Sequence, residues 1–483
     1  MTIVSSIKKN FSYNVILTVT QVIVPMIMYA YVSRVIMPYG VGTVSFVENI
    51  CRYIMLIAAL GIPIYGIREI ARKKNENQDG VFSELISIHL YSSLLLVVIY
   101  TALIYLVPQF SANKNMFLIG ISLVVCNVLA IEWFYQGNEN FRYITVRTVI
   151  VRSLSLLLVF IFIKKPQDYY LFFVILCGSS VINGVINFLY SRKYVKFTLV
   201  WKWERLRKHI KPLLLIFAST AAISIYVLLD SVFLGFISSK DAVGYYSLGL
   251  RVSKAPVILV TALGSVLIPK LSQAHASGDD AYFNRLIQKS FDFVGIVAFP
   301  VIVSMIALSN EIIIIFAGEK FLPAKTSFCI LCIVIYLIGI SNILGMQMLT
   351  TTGRDSLMTK SVFFGLVCSI VLNIILIPHF NEVGAAIANL SSELCVTFIM
   401  FYFVRKNFHL NINYRVTLLS LFCSLPILGI IYFTSNLTDS LIKKLVFAGI
   451  SIGVYQFFVQ YYIIKEENFI TFTSKIIKRY AKI

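Results

Sequence analysis

The chain has 483 residues, of which 58% are hydrophobic and only 13% charged, and its mean hydropathy is +0.85. A soluble globular protein is closer to about 45–50% apolar and about 25% charged, so this composition excludes a soluble protein. The formal net charge is +20, yet most Lys and Arg fall between apolar segments, where they set membrane orientation and contact anionic lipid. We therefore interpret the chain as an integral membrane protein and do not expect a nucleic-acid partner.

The first apolar run follows Lys8 and Lys9 and continues through Ile36. It is too long for the hydrophobic region of a signal peptide, so we interpret it as the first membrane-spanning helix. The distribution of Lys and Arg over the loops predicts that both termini are cytoplasmic. Runs of about 20 apolar residues predict fourteen spans, at residues 12–35, 42–66, 82–108, 115–136, 143–163, 168–190, 213–237, 242–269, 288–309, 324–350, 357–378, 383–404, 415–434 and 442–464.

The longest cytoplasmic connection, at residues 191–212, is basic and contains Trp201 and Trp203. We predict that it lies at the membrane surface with its aromatic side chains as anchors, and docking to a cytoplasmic partner is the alternative. It divides the chain into an N-terminal six-helix lobe (1–195), a basic linker (196–212), a second six-helix lobe (213–408), and two extra helices with a cytoplasmic tail (409–483).

The two predicted lobes carry matching motifs. Val41-Gly42 and Val243-Gly244 each open an apolar stretch, and a cation follows ten residues after each glycine: Arg52 in the first stretch and Lys254 in the second. A charge at the centre of a bilayer costs about 2.5–3.5 kcal/mol on insertion scales, so it normally faces water or a partner. This echo predicts an all-α membrane protein whose lobes are related by a pseudo-two-fold axis along the membrane normal, with a cationic cavity between them.

Further charges lie in the same spans. Glu48 and Arg52 are four residues apart, so they share a helical face and are expected to pair. Arg251 and Lys254 also share a face, and we expect Asp230 on the preceding span to pair with one of them in the free protein. Because charge inside a membrane is functional by default, we predict these five residues to bind substrate, with inert ion pairs as the alternative.

A second set comprises Glu132 on the fourth span with Arg147 and Arg152 on the fifth. We favour a structural ion-pair role for this set because the two spans are antiparallel neighbours. Asp292 is a further candidate for coupling to protons or sodium.

Four prolines, Pro25, Pro63, Pro256 and Pro300, lie within predicted spans. Each removes a backbone hydrogen bond and is expected to kink its helix. Such kinks favour moving helices, although static membrane proteins also contain them.

Motifs for other chemistry are absent from the sequence or lack the residues that would support them. Cys329 and Cys332 have the spacing of a redox or metal motif, but they lie inside the tenth span without His or acidic companions. We interpret them as small buried hydrophobes and expect no disulfide, metal or other cofactor. No phosphate-binding GxxxxGK[ST] pattern occurs, so energy is expected from an ion gradient, the membrane potential or the substrate gradient.

Several segments together resemble one transporter family. The clearest is IEWFYQGNENFRYITVRTVIVR at residues 131–152; the others are GIPIYGIREIAR at 61–72, LLDSVFLG followed by VGYYSLGLRVSK at 228–254, and LIPKLS at 267–272. They resemble the Wzx-type oligosaccharide-lipid flippases, in the polysaccharide transporter branch of the superfamily that also holds MATE exporters and lipid II flippases. The resemblance covers essentially the whole chain, including the six-plus-six repeat and the two extra helices.

The resemblance implies transport of an undecaprenyl-diphosphate-linked oligosaccharide from the cytoplasmic to the outer leaflet of the bacterial cytoplasmic membrane, by alternating access. Asp230, Arg251 and Lys254 match charged positions of the family's seventh and eighth spans, and Arg52 matches the cavity-lining cation of the second. A diphosphate carries at least two negative charges, which Arg and Lys neutralise well in a cavity of low dielectric constant. The implied partners are the lipid-linked oligosaccharide, membrane lipids, and a polymerase and chain-length regulator of polysaccharide assembly.

Three alternatives remain open at the level of sequence. Lipid II export would use the same cationic cavity. MATE-like drug efflux would need an acidic cavity suited to cations, which the cations found here argue against. A membrane polymerase or glycosyltransferase would be expected to present a large outer loop, and this chain has no long predicted outer loop.

Overall fold

The protein is described by a computed structural model that covers residues 3–74, 76–408 and 412–464. Every regular element in these ranges is helical, which confirms the predicted all-α class. The tail predicted to follow the last span lies outside the described residues. The α-helices are α1 (Ile3–Ala59), α2 (Ile62–Arg72), α3 (Asp79–Leu106), α4 (Pro108–Ser111), α5 (Lys114–Cys126), α6 (Glu132–Gly137), α7 (Phe141–Phe162), α8 (Tyr169–Ser191), α9 (Trp203–Ile237), α10 (Lys240–Lys254), α11 (Val257–Ala276), α12 (Asp280–Ala307), α13 (Ser309–Ala317), α14 (Lys325–Asn342), α15 (Asp355–Asn407), α16 (Arg415–Ser424), α17 (Pro426–Ser435) and α18 (Leu441–Phe458).

Within the described residues, 11 helical segments are long and apolar enough to cross a membrane. Two helices are long enough to cross twice: α1 has 57 residues and α15 has 53, against about 20 for one crossing. Each contains a sharp break, at Met37 (φ 63°) before Pro38 in α1 and at Asn381 (φ 49°) in α15. These breaks fall between predicted spans, while the total of fourteen spans stays a prediction.

Several predicted spans are not continuous helices: the fourth, at 115–136, is divided between α5 and α6, and the thirteenth, at 415–434, between α16 and α17. The second, at residues 42–66, is divided between α1 and α2, where Leu60 and Gly61 have φ values of 47° and 81°. The eighth, at 242–269, is divided between α10 and α11, and Pro256 precedes α11. Pro63 and Pro256 therefore stand where a helix begins instead of kinking one, because the first turn of a helix tolerates the missing amide hydrogen.

The chain forms two compact units. The first comprises Met1–Ser247 with Asn373–Glu382, and the second comprises Leu248–Leu372 with Val383–Ile483. The predicted lobe boundaries at residues 195, 213 and 408 stay a prediction.

The first part of the basic linker, residues 196–202, is an extended segment held along one face of α3, and the rest of the linker begins α9. The Asp79 carboxylate accepts the amide of Lys196, the Ser83 hydroxyl accepts the amide of Thr198, and the Ser87 hydroxyl accepts the amide of Val200, at 2.9–3.1 Å. The tyrosine at residue 91 donates its hydroxyl to the Val200 carbonyl at 3.0 Å. Residues 79, 83, 87 and 91 are spaced four apart, so one helical face supplies all four contacts.

A buried carboxylate fastens the start of α9 to the same helix. Glu84, whose side chain is 3% exposed, contacts Arg205, Lys208 and His209, each at 2.9 Å. His209 is itself buried, and its other ring nitrogen lies 2.9 Å from the hydroxyl of Tyr65 on α2. This cluster joins α2, α3 and α9 at the end of the linker.

We expect Glu84→Gln to loosen the linker, because the neutral amide loses the charge-assisted contacts to all three cationic or basic side chains. The cost should be about 1–3 kcal/mol, since Arg205 and Lys208 are half-exposed and can be rehydrated. The measurement is the rate of tryptic cleavage between residues 192 and 211, which should rise. Glu204→Gln on the exposed face of the same helix is the matched control, and equal cleavage of both variants would contradict the role of Glu84.

Candidate functional site

The predicted Glu48–Arg52 pair is present in the first unit. Arg52 donates to Glu48 Oε1 from Nη2 at 2.7 Å and from Nε at 3.1 Å, and the hydroxyl of Tyr29 donates to Oε2 at 3.3 Å. The side chain of Arg52 is nevertheless 54% exposed, against 16% for Glu48. Arg52 lies ten residues after Gly42, about 15 Å along the helix, where exposure to acyl chains is costly.

The predicted pair of Glu132 with Arg147 is also present. Arg147 Nη2 donates to Glu132 Oε1 at 2.6 Å and to the Thr148 hydroxyl at 3.1 Å. The Arg147 side chain is only 4% exposed, whereas that of Glu132 is 37% exposed. A buried guanidinium that depends on one carboxylate is typical of a structural ion pair.

We expect Glu132→Ala to lower the amount of folded protein, because it leaves the buried Arg147 charge without its carboxylate. Breaking a buried pair in this way costs about 3–5 kcal/mol. Quantitative blotting of membranes should show the loss. Glu139→Ala is the control, since its ion pair with Lys74 is exposed on both sides. Normal abundance combined with lost transport would instead make Glu132 a functional residue.

Arg152 corrects the predicted grouping. Within residues 3–74, 76–408 and 412–464 no carboxylate lies within 4.0 Å of it, so it is not part of the Glu132 ion pair. Its Nη1 donates to the backbone carbonyl of Gln21 at 3.1 Å, which ties α7 to the first half of α1. It also lies near enough to Arg52 and Glu132 for their charges to act on it. Glu48 and Arg52 therefore form one charged cluster with Glu132, Arg147 and Arg152 in the first unit.

Asp230 is buried on α9 and is bound by neutral donors. The hydroxyl of Tyr246 donates to its Oδ2 and the amide of Asn373 donates to its Oδ1, both at 2.7 Å. Its predicted ion pair with Arg251 or Lys254 stays a prediction.

The predicted residues of the second unit are on α10 and α12. Lys254 lines a narrow crevice with Ser253 and the buried Asn389, and the other lining side chains are apolar. Asp292 accepts a hydrogen bond from the side-chain amide of Gln288 at 2.9 Å. A coupling role for Asp292 stays a prediction.

The two Val-Gly motifs meet inside the first unit. A Cβ atom on Gly42 would overlap the carbonyl oxygen of Lys240, and one on Gly244 would overlap the carbonyl oxygen of Pro38. The backbones of α1 and α10 therefore touch, at a contact that we call the glycine seam (Pro38, Gly42, Lys240 and Gly244). The ammonium group of Lys240 also donates to the Gly235 carbonyl at 2.9 Å. Only glycine fits at these two positions without moving a backbone.

Residues 7–275, more than half of the chain, match the model of a family described as polysaccharide biosynthesis protein. The chain belongs to this family. The match includes Glu48, Arg52, Glu132, Arg147 and Arg152, so the charged cluster of the first unit lies within the family's region.

Curated relatives span most of the chain. It is 24% identical to an Escherichia coli K12 protein provisionally named O-antigen transporter, over 83% of this chain and 97% of that protein. It is 21% identical to the Staphylococcus aureus capsular polysaccharide biosynthesis protein CapF, over 83% of this chain and all (100%) of that protein. None of these names describes an enzyme.

Solved structures show the same fold. The lipid II flippase MurJ in an inward closed conformation superposes with a TM-score of 0.77 and 16% identity, over 94% of this chain and 98% of that one. An inward-facing multidrug resistance MATE transporter of the MOP superfamily gives a TM-score of 0.60 and 13% identity, over 80% of this chain and 95% of that one. This member of the polysaccharide biosynthesis family therefore has the multi-pass membrane fold of MurJ and the MATE transporters.

Neutral polar residues of the site were missed by the sequence reasoning, which considered charge alone. Tyr29, Tyr246, Asn373 and Asn389 contact or neighbour the charged residues. Asn373 and Asn389 are amides in strongly apolar spans, where burial of a polar group without a partner is costly. That cost indicates that both amides have polar partners inside the fold, and it could have identified them as site residues from the sequence.

Proposed function

We propose that this protein moves an undecaprenyl-diphosphate-linked oligosaccharide from the cytoplasmic to the outer leaflet of the bacterial cytoplasmic membrane, with both termini cytoplasmic. The observation that carries the proposal is Arg52, a guanidinium that is half-exposed near the middle of a predicted membrane span, in a chain of the polysaccharide biosynthesis family. A hydrated cation at that depth suits an anionic headgroup far better than a cationic drug.

The cluster suits a diphosphate chemically. Guanidinium groups bind phosphate oxygens through two parallel hydrogen bonds, and a low-dielectric surrounding strengthens them. The polyprenyl tail can stay in lipid, so only the diphosphate and the sugars need a polar path. We assign substrate binding to Arg52, Lys254 and Arg251, with Glu48 and Asp230 as the carboxylates that hold cations or substrate hydroxyl groups between transport cycles.

The relatives support a glycan cargo. One is provisionally named as an O-antigen transporter and another is named for capsular polysaccharide biosynthesis. The polymerase and chain-length regulator of the same surface polysaccharide are the proposed protein partners, because they would consume the product in the outer leaflet.

The test is transport by the purified protein in proteoliposomes. Fluorescent undecaprenyl-diphosphate-linked oligosaccharide should become accessible to a membrane-impermeant quencher faster than in empty liposomes. Lipid II in a parallel sample distinguishes an oligosaccharide flippase from a peptidoglycan-precursor flippase. Protein-independent rates for the oligosaccharide lipid would overturn the proposal, and elongation of the glycan without transfer would identify a polymerase.

A further inference from the structure

The charged cluster of the first unit contains one arginine that forms no ion pair with a described carboxylate. Glu48 pairs with Arg52 and Glu132 pairs with Arg147, so these four side chains sum to zero. Arg152 has no carboxylate within 4.0 Å among the described residues. The net positive charge of the cluster therefore belongs to Arg152, a residue that the sequence pattern had grouped with structural pairs.

We propose that Arg152 is the principal diphosphate-binding residue of the first unit, and that Pro25 positions it. This inference rests on the proposed function, since it names the group of the lipid-linked substrate that the cluster recognises. Arg152 lies eleven residues into the 22-residue helix α7, at the middle of a predicted membrane span. It is partly exposed, so a ligand can reach it.

Pro25 explains where the guanidinium is held. In a helix, the carbonyl of Gln21 would accept the amide hydrogen of residue 25, but proline has none. The Gln21 carbonyl is thus left without its helical donor, and Arg152 Nη1 donates to it at 3.1 Å. One N–H of the guanidinium is used for this anchor, and a guanidinium has five, so the fork that binds phosphate remains available.

Arg52 differs from Arg152 because its guanidinium is already paired with a carboxylate. Two of its nitrogens already donate to Glu48 Oε1, at 2.7 and 3.1 Å. A phosphate must replace that carboxylate to bind Arg52 fully, whereas it binds Arg152 without displacing an anion. The exchange at Arg52 is close to neutral in charge, so Arg152 should contribute more to affinity.

The experiment measures binding of undecaprenyl diphosphate to the full-length protein in nanodiscs of neutral lipid. Arg152→Gln should weaken binding about tenfold or more, as expected for loss of a charge-assisted bidentate contact. The double variant Glu48→Gln with Arg52→Gln removes a neutral pair and should weaken it less. Arg142→Gln, at the exposed start of the same helix, should bind as the wild type does.

Pro25→Ala separates positioning from folding. The new amide hydrogen should take the Gln21 carbonyl and release Arg152, so diphosphate binding should weaken while the melting temperature stays the same or rises. A purely structural role would move both quantities in the same direction. Arg152→Lys keeps the charge but loses the fork, and should fall between the wild type and Arg152→Gln.

The outcomes distinguish this inference from the proposed function. If the wild type binds undecaprenyl diphosphate and folded Arg152→Gln or Arg152→Lys binds it equally well, the assignment of Arg152 is wrong and the proposed function stands. A greater loss from the neutral double variant than from Arg152→Gln would also overturn the assignment. If the wild type binds no undecaprenyl diphosphate, the proposed function itself fails.

Discussion

Arg52→Ala and Lys254→Ala should each abolish export of the surface polysaccharide while leaving the protein in the membrane at normal levels. Arg52→Ala removes a cation and the ion pair that neutralises Glu48, so the proposed site loses attraction for the diphosphate and gains repulsion from the carboxylate. Lys254→Ala removes the cation at the equivalent position of the second repeat. The measurement is surface polysaccharide on cells that depend on the variant as their only copy.

Matched controls keep this result interpretable. Arg68→Ala and Lys360→Ala remove exposed cations on α2 and in the first turns of α15 and should leave export unchanged. Blotting of membranes reports the abundance of every variant. If both Arg52→Ala and Lys254→Ala retain full export, neither Arg52 nor Lys254 is needed to bind the headgroup.

Gly42→Ala and Gly244→Ala should also stop transport, for a steric reason. Each added methyl group would overlap a backbone carbonyl, that of Lys240 or that of Pro38, and a backbone cannot move aside as a flexible side chain can. The glycine seam therefore cannot form in either variant. Any conformation of the transport cycle that needs α1 against α10 becomes inaccessible.

The seam prediction is measured by polysaccharide export together with membrane abundance. Gly178→Ala on α8 is the control, because a Cβ atom there would meet nothing within 4 Å. Full export by Gly42→Ala and Gly244→Ala would show that the seam is dispensable. Loss of export with equal loss of protein would show that the seam serves folding instead of transport.

Local spacing was enough to predict part of the site. Glu48 and Arg52 are four residues apart on one helix, so their pairing follows from helical geometry alone. Glu132 and Arg147 lie on consecutive antiparallel spans at similar depth, and their pairing follows from topology. The all-α class followed from hydropathy.

Contacts that depend on helix rotation were not predictable in the same way. Asn373 reaches Asp230 across 143 residues of chain, a contact that needs the packed fold. Arg152 was placed with Glu132 because the two share a depth, but the packing of α7 on α1 directs it to the Gln21 carbonyl. Pro25 could have indicated this contact, because proline has no amide hydrogen and leaves the Gln21 carbonyl, four residues earlier, without a helical donor.

The breaks in the predicted spans also had readable signals. Gly61 and Pro63 stand where the second span is interrupted, and Pro256 stands where the eighth is. A hydropathy profile is averaged over a window of about 19 residues, so it does not detect a helix break at one residue. Backbone preferences of glycine and proline should therefore be considered before a long apolar run is assigned to one helix.

The most direct measurement is the rate at which proteoliposomes flip a diphosphate-linked oligosaccharide lipid when Arg52 and Lys254 are replaced. The wild type should flip it well above the rate of empty liposomes, and the Arg52→Ala, Lys254→Ala double variant should fall to that background. Flipping by the double variant at the wild-type rate would contradict recognition of the headgroup by Arg52 and Lys254.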